Sequence, residues 1–221
     1  MSNRGREDAR LDEERSDRKN RGCNVISFDY CFTTVQGEPD EKQYATALYV
    51  ADSETKAVLC LPVAAKGSVS LRQATEELLR VSLAVTGASQ KVIFQADSER
   101  STRQLLRALQ HARAQLGLQC DTRVTGVGQH ASNGQAENCV KTVRRLANTL
   151  RSAAEERCGV KIAGSCHAYP WSFRHAAWLI TRFRVINGAT SFETTTGRQY
   201  QGKVVLWGVK VLFRDVAAVT H

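Results

Sequence analysis

The sequence predicts an α/β fold, in which a mixed five-stranded sheet is flanked by helices and a small β segment lies near the C-terminus. Three observations lead to this prediction. Three strand-like runs come first, helical and strand-like runs then alternate, and two helical runs follow. A meander followed by such alternation is typical of a mixed sheet covered by helices.

The first three strands are predicted from apolar runs separated by turn-forming residues. The runs are NVISFDY, QYATALYVAD and KAVLCLPVAA, at residues 24–30, 43–52 and 56–65. The acidic segment QGEPDEK separates the first run from the second, and the turn SETK separates the second from the third. Because both connections are short, we expect an antiparallel meander.

The following segments are assigned from their hydrophobic periodicity. They are a helix SLRQATEELLRVSLAV (70–85), a strand KVIFQAD (91–97), a helix SERSTRQLLRALQHARAQLG (98–117), a strand LQCDTRV (118–124), helices at 135–157 and 170–186, and a strand-like run KVVLWGVKVLFR (203–214). Glycines end the first two of these helices, and the glycine-bearing loop TGVGQHASNG precedes the long helix. This is the element order of a ribonuclease H-like domain.

Composition divides the chain into three regions. Residues 1–22 are almost wholly polar and alternate in charge sign, so we expect a charged tail or linker there. Residues 23–187 contain the predicted sheet and helices and form the expected core domain. Residues 188–221 form a C-terminal extension that carries the short β segment.

The charge and cysteine content narrow the class of partner. The chain has 31 basic and 22 acidic residues, and its net charge of +9 favours a polyanionic partner, most simply nucleic acid. No apolar run approaches the roughly 18 residues of a membrane span, so no membrane partner is expected. The seven cysteines are scattered and never form C-x-x-C, so we predict no zinc site.

Three acidic residues fall at corresponding ends of the predicted elements. Asp29 ends the first strand, Asp97 lies just past the fourth, and Glu137 lies in the first turn of the long helix. If the first and fourth strands are neighbours, both aspartates emerge at one edge of the sheet. Mg²⁺ prefers such oxygen ligands, and a pair of ions roughly 3.5–4 Å apart supports phosphoryl transfer.

Each acid taken singly also has a structural explanation. An aspartate at a strand end commonly forms a turn or cap. A glutamate in a first helical turn complements the helix dipole. It is the three acids together, in this order and on these elements, that favour a catalytic site.

The segments around these acids resemble the catalytic core of retroviral and retrotransposon integrases, the D,D-E polynucleotidyl transferases. The motifs are SFDYCF around Asp29, KVIFQADSE around Asp97, and SNGQAEN around Glu137, which is similar to the family's N-G-x-x-E-R signature. WLITRFRVINGATSFETTTGRQ is similar to a later family stretch where a helix ends and a G-x-T-x-x-E turn follows. WGVKVLFR resembles the small β segment beyond the core, so that the resemblance covers roughly residues 23–214.

The resemblance implies a ribonuclease H-like fold with Asp29, Asp97 and Glu137 as ligands of Mg²⁺ or Mn²⁺, two ions in all. It implies DNA integration in two steps, which are metal-dependent trimming of a 3′ end and transfer of that end to target DNA. The implied partners are the DNA ends of the element, the target DNA and further copies of this chain. The implied location is the nucleus.

One face of the long helix carries further candidate residues. Lys141, Arg144, Asn148 and Arg151 follow Glu137 at helical spacing and are expected to contact DNA phosphates. The alternative is that these side chains are simply solvated. In integrases the loop before this helix borders the active site, which makes Gln129, His130 and Asn133 candidates for substrate contact as well.

The sequence also departs from the family pattern. The gap between Asp97 and Glu137 holds 39 residues, longer than usual, and Asn138 stands where the signature has arginine. The zinc-binding His-His-Cys-Cys domain of the family has no counterpart, so we expect the chain to begin downstream of one. Two alternatives therefore stay open, an inactive DNA-binding or interaction remnant of a retrotransposon polyprotein and a ribonuclease H-like nuclease. The nuclease usually has a fourth carboxylate, for which neither Asp121 nor Glu99 is a clear candidate.

Overall fold

Two layers of helices enclose a five-stranded sheet in the computed structural model, which describes residues 23–33, 45–87, 91–125 and 134–210. The elements are β1 (Asn24–Phe32), β2 (Thr46–Asp52), β3 (Val58–Val63), α1 (Leu71–Thr86), β4 (Val92–Ala96), α2 (Arg100–Gln115), β5 (Cys120–Val124), α3 (Gly134–Cys158), α4 (Tyr169–Phe183), β6 (Val185–Ile186), β7 (Ala189–Thr190) and α5 (Ser191–Thr196). A short 3-10 helix, Gly67–Ser70, precedes α1.

The sheet has the strand order β3-β2-β1-β4-β5. Strand β2 pairs antiparallel with both β1 and β3, whereas β4 pairs parallel with both β1 and β5. The predicted mixed sheet and its antiparallel meander are therefore confirmed. Since β1, β3, β4 and β5 run in the same direction, their last residues lie along one side of the sheet, which we call the carboxyl edge.

Side chains alternate across β1 and belong to two separate cores. Ile26, Phe28 and Tyr30 are buried in the core that α1 and α2 cover. The intervening positions face the opposite core, built from α3 and α4, where Cys31 packs at its border. All seven residues of β2 are buried, as expected for an inner strand with helices on both faces. Asp29 therefore lies on the face of the sheet that α3 covers.

The long helix packs on the sheet through a stripe of small and branched residues. Its buried positions include Ala136, Val140, Val143, Ala147 and Ala154, spaced to lie along one side of the helix. Leu150 is half-buried beside this stripe. The polar side of α3 is thereby left at the surface near the carboxyl edge.

The small β segment near the C-terminus is confirmed, but it lies at a different place in the chain. Strands β6 and β7 form a hairpin across Asn187 and Gly188, both with positive φ (53° and 87°). Asn-Gly is the preferred dipeptide for such a turn, and it ends helix α4 earlier than the predicted residue 186. In the predicted run 203–214, residues 203–210 contain a turn and no strand, and the last four residues lie outside the described part.

A capping box explains the helix that follows the hairpin. The Thr190 hydroxyl accepts a hydrogen bond from the Glu193 backbone N–H at 3.1 Å, and the Glu193 carboxylate accepts one from the Thr190 backbone N–H at 2.6 Å. This reciprocal pair fixes the start of α5. The G-x-T-x-x-E turn of the sequence is therefore a helix start, and its glutamate has a structural role.

Candidate active site at the carboxyl edge

Asp29 and Asp97 lie on neighbouring parallel strands at the same end. The last registered pair between β1 and β4 is Ser27 with Gln95, and each aspartate lies two residues beyond it. Strand β1 itself continues to Phe32 by pairing with β2, so Asp29 lies within the strand opposite Tyr49. The two carboxylates are thus brought together where the parallel pairing stops, as the strand order requires.

The Asp97 carboxylate is fixed by the start of helix α2. Its Oδ1 accepts hydrogen bonds from the Thr102 hydroxyl at 2.7 Å and from the Glu99 backbone N–H at 3.3 Å. Thr102 is fully buried, so this anchor is shielded from water. The bonds hold the carboxylate at the helix N-terminus, where the helix dipole favours negative charge.

The environment of Asp29 opposes ionisation. Burial, and then the neighbouring Asp97, raises the pKa of the Asp29 carboxyl from 3.8 to about 6. The backbone N–H of Tyr30 and the ammonium of Lys66 act in the opposite direction, and Glu99 raises the pKa further. Two carboxylates so close together, and partly removed from water, create an excess of negative charge that a cation would relieve.

Glu137 approaches this region from helix α3. It lies in the first turn, and α3 is tied to β1 through a hydrogen bond from the Ser27 hydroxyl to the Gln135 side-chain oxygen at 3.1 Å. Glu137 is half-buried and has no hydrogen-bond or ion-pair partner in the described part of the chain. Among these same residues, no three or more His, Cys, Asp and Glu side chains form a group able to hold a metal ion. Asp97 acts directly on the Asp29 carboxyl, and within the described residues Glu137 forms no three-acid group with them.

The donor set fits a hard divalent cation at the aspartate pair. Mg²⁺ is commonly bound through one or two carboxylates, with water and substrate phosphate as the other ligands. Asp29 and Asp97 supply two carboxylates, and the raised pKa of Asp29 marks a charge that nothing in the described protein neutralises fully.

The residues of α3 that are predicted to contact phosphate differ in whether their side chains already have partners within the protein. Lys141 is exposed and has no hydrogen-bond or ion-pair partner among the described residues. The Asn148 side-chain oxygen accepts a hydrogen bond from the Tyr169 hydroxyl at 2.9 Å. The Arg151 guanidinium pairs with Glu155 at 3.2 Å and lies over the Tyr169 ring. Asn148 and Arg151 thus join α3 to α4.

Arg144 turns back toward strand β1. Its Nη2 donates to the Cys31 sulfur at 3.2 Å and to the Phe32 carbonyl at 3.4 Å. This contact places Arg144 beside the strand that carries Asp29, two residues before Cys31. The remaining predicted contacts, Gln129, His130 and Asn133, lie outside the described residues.

Two charged residues of this region have no assigned role in the sequence-based prediction. Glu99, which gave no clear signal as a fourth carboxylate, lies close enough to Asp29 to affect its pKa. Lys66 pairs with Glu99 at 3.1 Å. A signal for Glu99 is its position two residues after Asp97, but Lys66 is distant in sequence and is brought there only by the sheet.

A cleft lies beside the start of α3, near the turn between β2 and β3. It has a volume of about 420 Å³, and its lining includes Asp52, Lys56, Asn138, Thr142 and Arg184. Asn138, the departure from the family signature, is thus part of this cleft. None of the three predicted catalytic acids lines it.

Comparison with known proteins supports the fold and little beyond it. No protein-family model matches the chain, and no curated protein sequence matches it. Solved structures do match. One is a chain in the structure of the simian T-cell lymphotropic virus intasome in complex with the PP2A regulatory subunit B56 gamma, with a TM-score of 0.55 and 12% identity. That match covers 86% of this chain, which spans 60% of the intasome chain.

Two further matches are structures of the HTLV-2 integrase catalytic core domain in complex with magnesium. The dimeric form gives a TM-score of 0.50 and 11% identity, over 78% of this chain and 94% of that chain. The trimeric form gives a TM-score of 0.50 and 13% identity, over 77% of this chain and 95% of that chain. No helix in the described segments is both long and apolar enough to cross a membrane.

The strand order and the three structural matches together show that the chain has the ribonuclease H-like fold of a retroviral integrase catalytic core.

Proposed function

We propose that this chain is the catalytic core of a retroelement integrase, which processes DNA 3′ ends and joins them to target DNA in a metal-dependent reaction. One observation carries the proposal. Asp29 and Asp97 lie together at the ends of parallel strands, and a helix that starts beside the same strand carries Glu137. The integrase-core fold supports this reading of the three acids.

The acids hold the metal in this proposal, and the basic residues hold the substrate. Bound Mg²⁺ or Mn²⁺, two ions in all, activates the attacking oxygen and stabilises the leaving oxygen of a phosphodiester. Asp29 and Asp97 form the fixed part of the site, because strand pairing and the Thr102 hydroxyl orient them. Glu137 supplies the third carboxylate from the first turn of α3.

The DNA lies along the exposed side of α3 in this proposal. Lys141 is the foremost phosphate contact, because its ammonium is exposed and unpaired among the described residues. Arg144 can reach a phosphate only by releasing Cys31 and the Phe32 carbonyl. Gln129, His130 and Asn133 are assigned to substrate contact through the integrase resemblance alone.

Further copies of the chain and nuclear DNA are also part of the proposal. The structures of the HTLV-2 catalytic core are described as dimeric and trimeric forms, and another match comes from an intasome. These relatives support a homo-oligomer that bridges DNA ends. The net charge of +9 agrees with a nucleic-acid partner.

Specific observations also favour the two alternative functions. Glu99 near Asp29 provides a fourth acid, as expected for a ribonuclease H-like nuclease. The absence of a three-residue metal group within residues 23–33, 45–87, 91–125 and 134–210 favours a non-catalytic remnant. Substrate choice distinguishes the first alternative from integration, and metal-dependent turnover distinguishes the second.

An oligonucleotide assay tests the proposal. Purified protein is incubated with Mn²⁺ and labelled DNA duplexes, and nicked and joined products are measured. We expect Asp29→Asn, Asp97→Asn and Glu137→Gln each to lower the rate by at least about 100-fold, or about 2.7 kcal/mol of barrier. Glu156→Gln is the matched control, because Glu156 is an exposed residue of the same helix and is expected to keep wild-type activity.

The outcomes separate the three functions. Cleavage of an RNA strand in an RNA–DNA hybrid, without joining of DNA, would establish the nuclease in place of the integrase. DNA binding without turnover in Mn²⁺ or Mg²⁺ would establish the remnant. Full activity of Glu137→Gln would remove Glu137 from the site.

A further inference from the structure

A lysine lies at the carboxyl edge beside the acidic residues. Lys66 follows β3, which runs in the same direction as β1 and β4 and therefore ends at the same edge. Its Nζ contacts the two carboxylate oxygens of Glu99 at 3.1 and 3.4 Å. Glu99 in turn donates its backbone N–H to the Asp97 carboxylate. Lys66 is thereby linked to the aspartate pair through one residue.

The ion pair between Lys66 and Glu99 can break at little cost in free energy, which leaves each side chain able to bind another partner. The Lys66 side chain is 32% exposed and that of Glu99 is 47% exposed, so water competes for both charges. Such partly exposed pairs contribute only about 0–1 kcal/mol to stability. Breaking the contact to form another one of similar strength therefore costs little.

The charge of Lys66 also acts on the site itself. The ammonium is close enough to Asp29 to oppose the rise in that carboxyl's pKa. Asp29, Asp97 and Glu99 contribute three negative charges here against one positive charge from Lys66. A nucleic-acid phosphate that approaches these acids needs local positive charge, and Lys66 is a protein cation already in place.

We propose that Lys66 is a phosphate-binding residue of the acid site, and that its ammonium moves from Glu99 to a phosphate of the bound nucleic acid. The inference rests on the proposed function, because it assumes that a nucleic acid occupies this edge. Glu99 acts as a competitor in this arrangement. It holds the ammonium when the substrate is absent and repels the phosphate when it is present.

This arrangement predicts opposite effects for the two partners. Lys66→Met removes the cation and is expected to weaken DNA binding by about 5–10-fold at low salt, with a salt slope lower by about 1. Glu99→Gln frees the ammonium and removes a negative charge, so it is expected to tighten binding by about 2–5-fold. If Lys66–Glu99 were only a structural contact, the two variants would change binding in the same direction.

The chain offers a matched control for the lysine. Lys91 forms a comparable ion pair with Asp121 at 2.7 Å, with side-chain exposures of 42% and 57%. It precedes β4 and so lies at the opposite edge of the sheet. Lys91→Met removes the same charge from the chain, and we expect DNA affinity to change less than twofold, with stability close to that of Lys66→Met.

Fluorescence anisotropy with a short labelled DNA duplex provides the measurement. All proteins carry Glu137→Gln to limit turnover, and affinity is measured with Mg²⁺ at several salt concentrations. Opposite shifts for Lys66→Met and Glu99→Gln, with little change for Lys91→Met, support the inference. Shifts in the same direction, or an equal loss for the Lys66 and Lys91 variants, would overturn it.

The test also separates this inference from the proposed function. If proteins with native Glu137 nick or join DNA while binding ignores Lys66, only the Lys66 inference is overturned. If binding depends on Lys66 but no protein shows turnover, phosphate recognition by Lys66 is supported and the catalytic proposal is contradicted.

Discussion

Asp52 and Asp29 are aspartates on paired strands, but their surroundings differ sharply. Asp52 ends β2, opposite Ile26 and near the start of β1, and is 1% exposed. Its two oxygens accept bonds from the Asn24 amide at 3.0 and 3.1 Å, and one also accepts from the Thr55 N–H and hydroxyl. Asp29 has the Tyr30 N–H on its carboxylate and another carboxylate beside it.

The difference separates an acid that supports the fold from one available to an outside partner. Four hydrogen bonds from three donor groups compensate the burial of Asp52, so its charge is satisfied within the protein. Asp29 is left with a raised pKa and a neighbour of the same charge. Acids that are only partly satisfied and lie beside like charge are typical of functional sites.

The largest expected effect is the loss of stability caused by substituting Asp52. Asp52→Asn turns an acceptor toward the Asn24 and Thr55 donors into a donor, and we expect a loss of about 2–4 kcal/mol in the free energy of unfolding. The same substitution at Asp29 should cause no such loss. Urea unfolding of both variants at pH 7 measures the contrast, and equal losses would contradict it.

Adding Mg²⁺ tests the same difference between Asp29 and Asp52, this time through metal binding. We expect Mg²⁺ at about 100 times its Kd to stabilise the wild type by about 2.7 kcal/mol, because it binds only the folded pair. The melting temperature of Asp52→Asn should still rise with Mg²⁺, whereas that of Asp29→Asn should not. A rise of equal size in Asp29→Asn would place the cation elsewhere.

The smallest effect is the pH dependence due to Asp29. Its carboxyl pKa is 3.8 ordinarily and about 6 in the folded protein. Below about pH 4 both states hold the proton, and between pH 4 and 6 the unfolded chain releases it first, so the folded state loses stability as pH rises. Asp29→Asn removes this loss and should gain about 1–2 kcal/mol above pH 6, after allowance for partial exposure.

Metal-free unfolding curves at pH 4 and pH 7 measure this difference directly. The variant should match the wild type at pH 4 and exceed it at pH 7. A gain of equal size at both pH values would mean that the asparagine stabilises the fold by packing, and that ionisation of Asp29 has no cost.

The sequence predicts where the acids lie along the chain better than it predicts which residues contact them. The sequence places both aspartates at strand ends, but the adjacency of β1 and β4 is only a condition in the sequence-based prediction, and the observed strand order supplies it. The three donor groups on Asp52 come from the turn after β2 and from β1, and no local pattern indicates them. Long-range pairing determines which charges meet, and it also brings Lys66 to Glu99.

Two errors in the predicted elements have local causes. The predicted helix 170–186 runs past the observed end at Phe183 because apolar residues continue there, although the Asn187-Gly188 turn favours a hairpin. Residues 203–210 are rich in valine and other apolar residues, as strands are, but their segment meets helix α3, where the Arg157 guanidinium donates to the Trp207 carbonyl. Tertiary contact there overrides β propensity.

The two contacts between α3 and β1 tie the position of Glu137 to the register of the helix. Ser27 bonds to Gln135 before Glu137, and Arg144 bonds to the Phe32 carbonyl after it. A slide of α3 by one residue is a translation of about 1.5 Å, and it would strain both bonds while leaving the separation of Asp29 and Asp97 unchanged. These two bonds therefore act as a register lock that sets how far Glu137 lies from the aspartates.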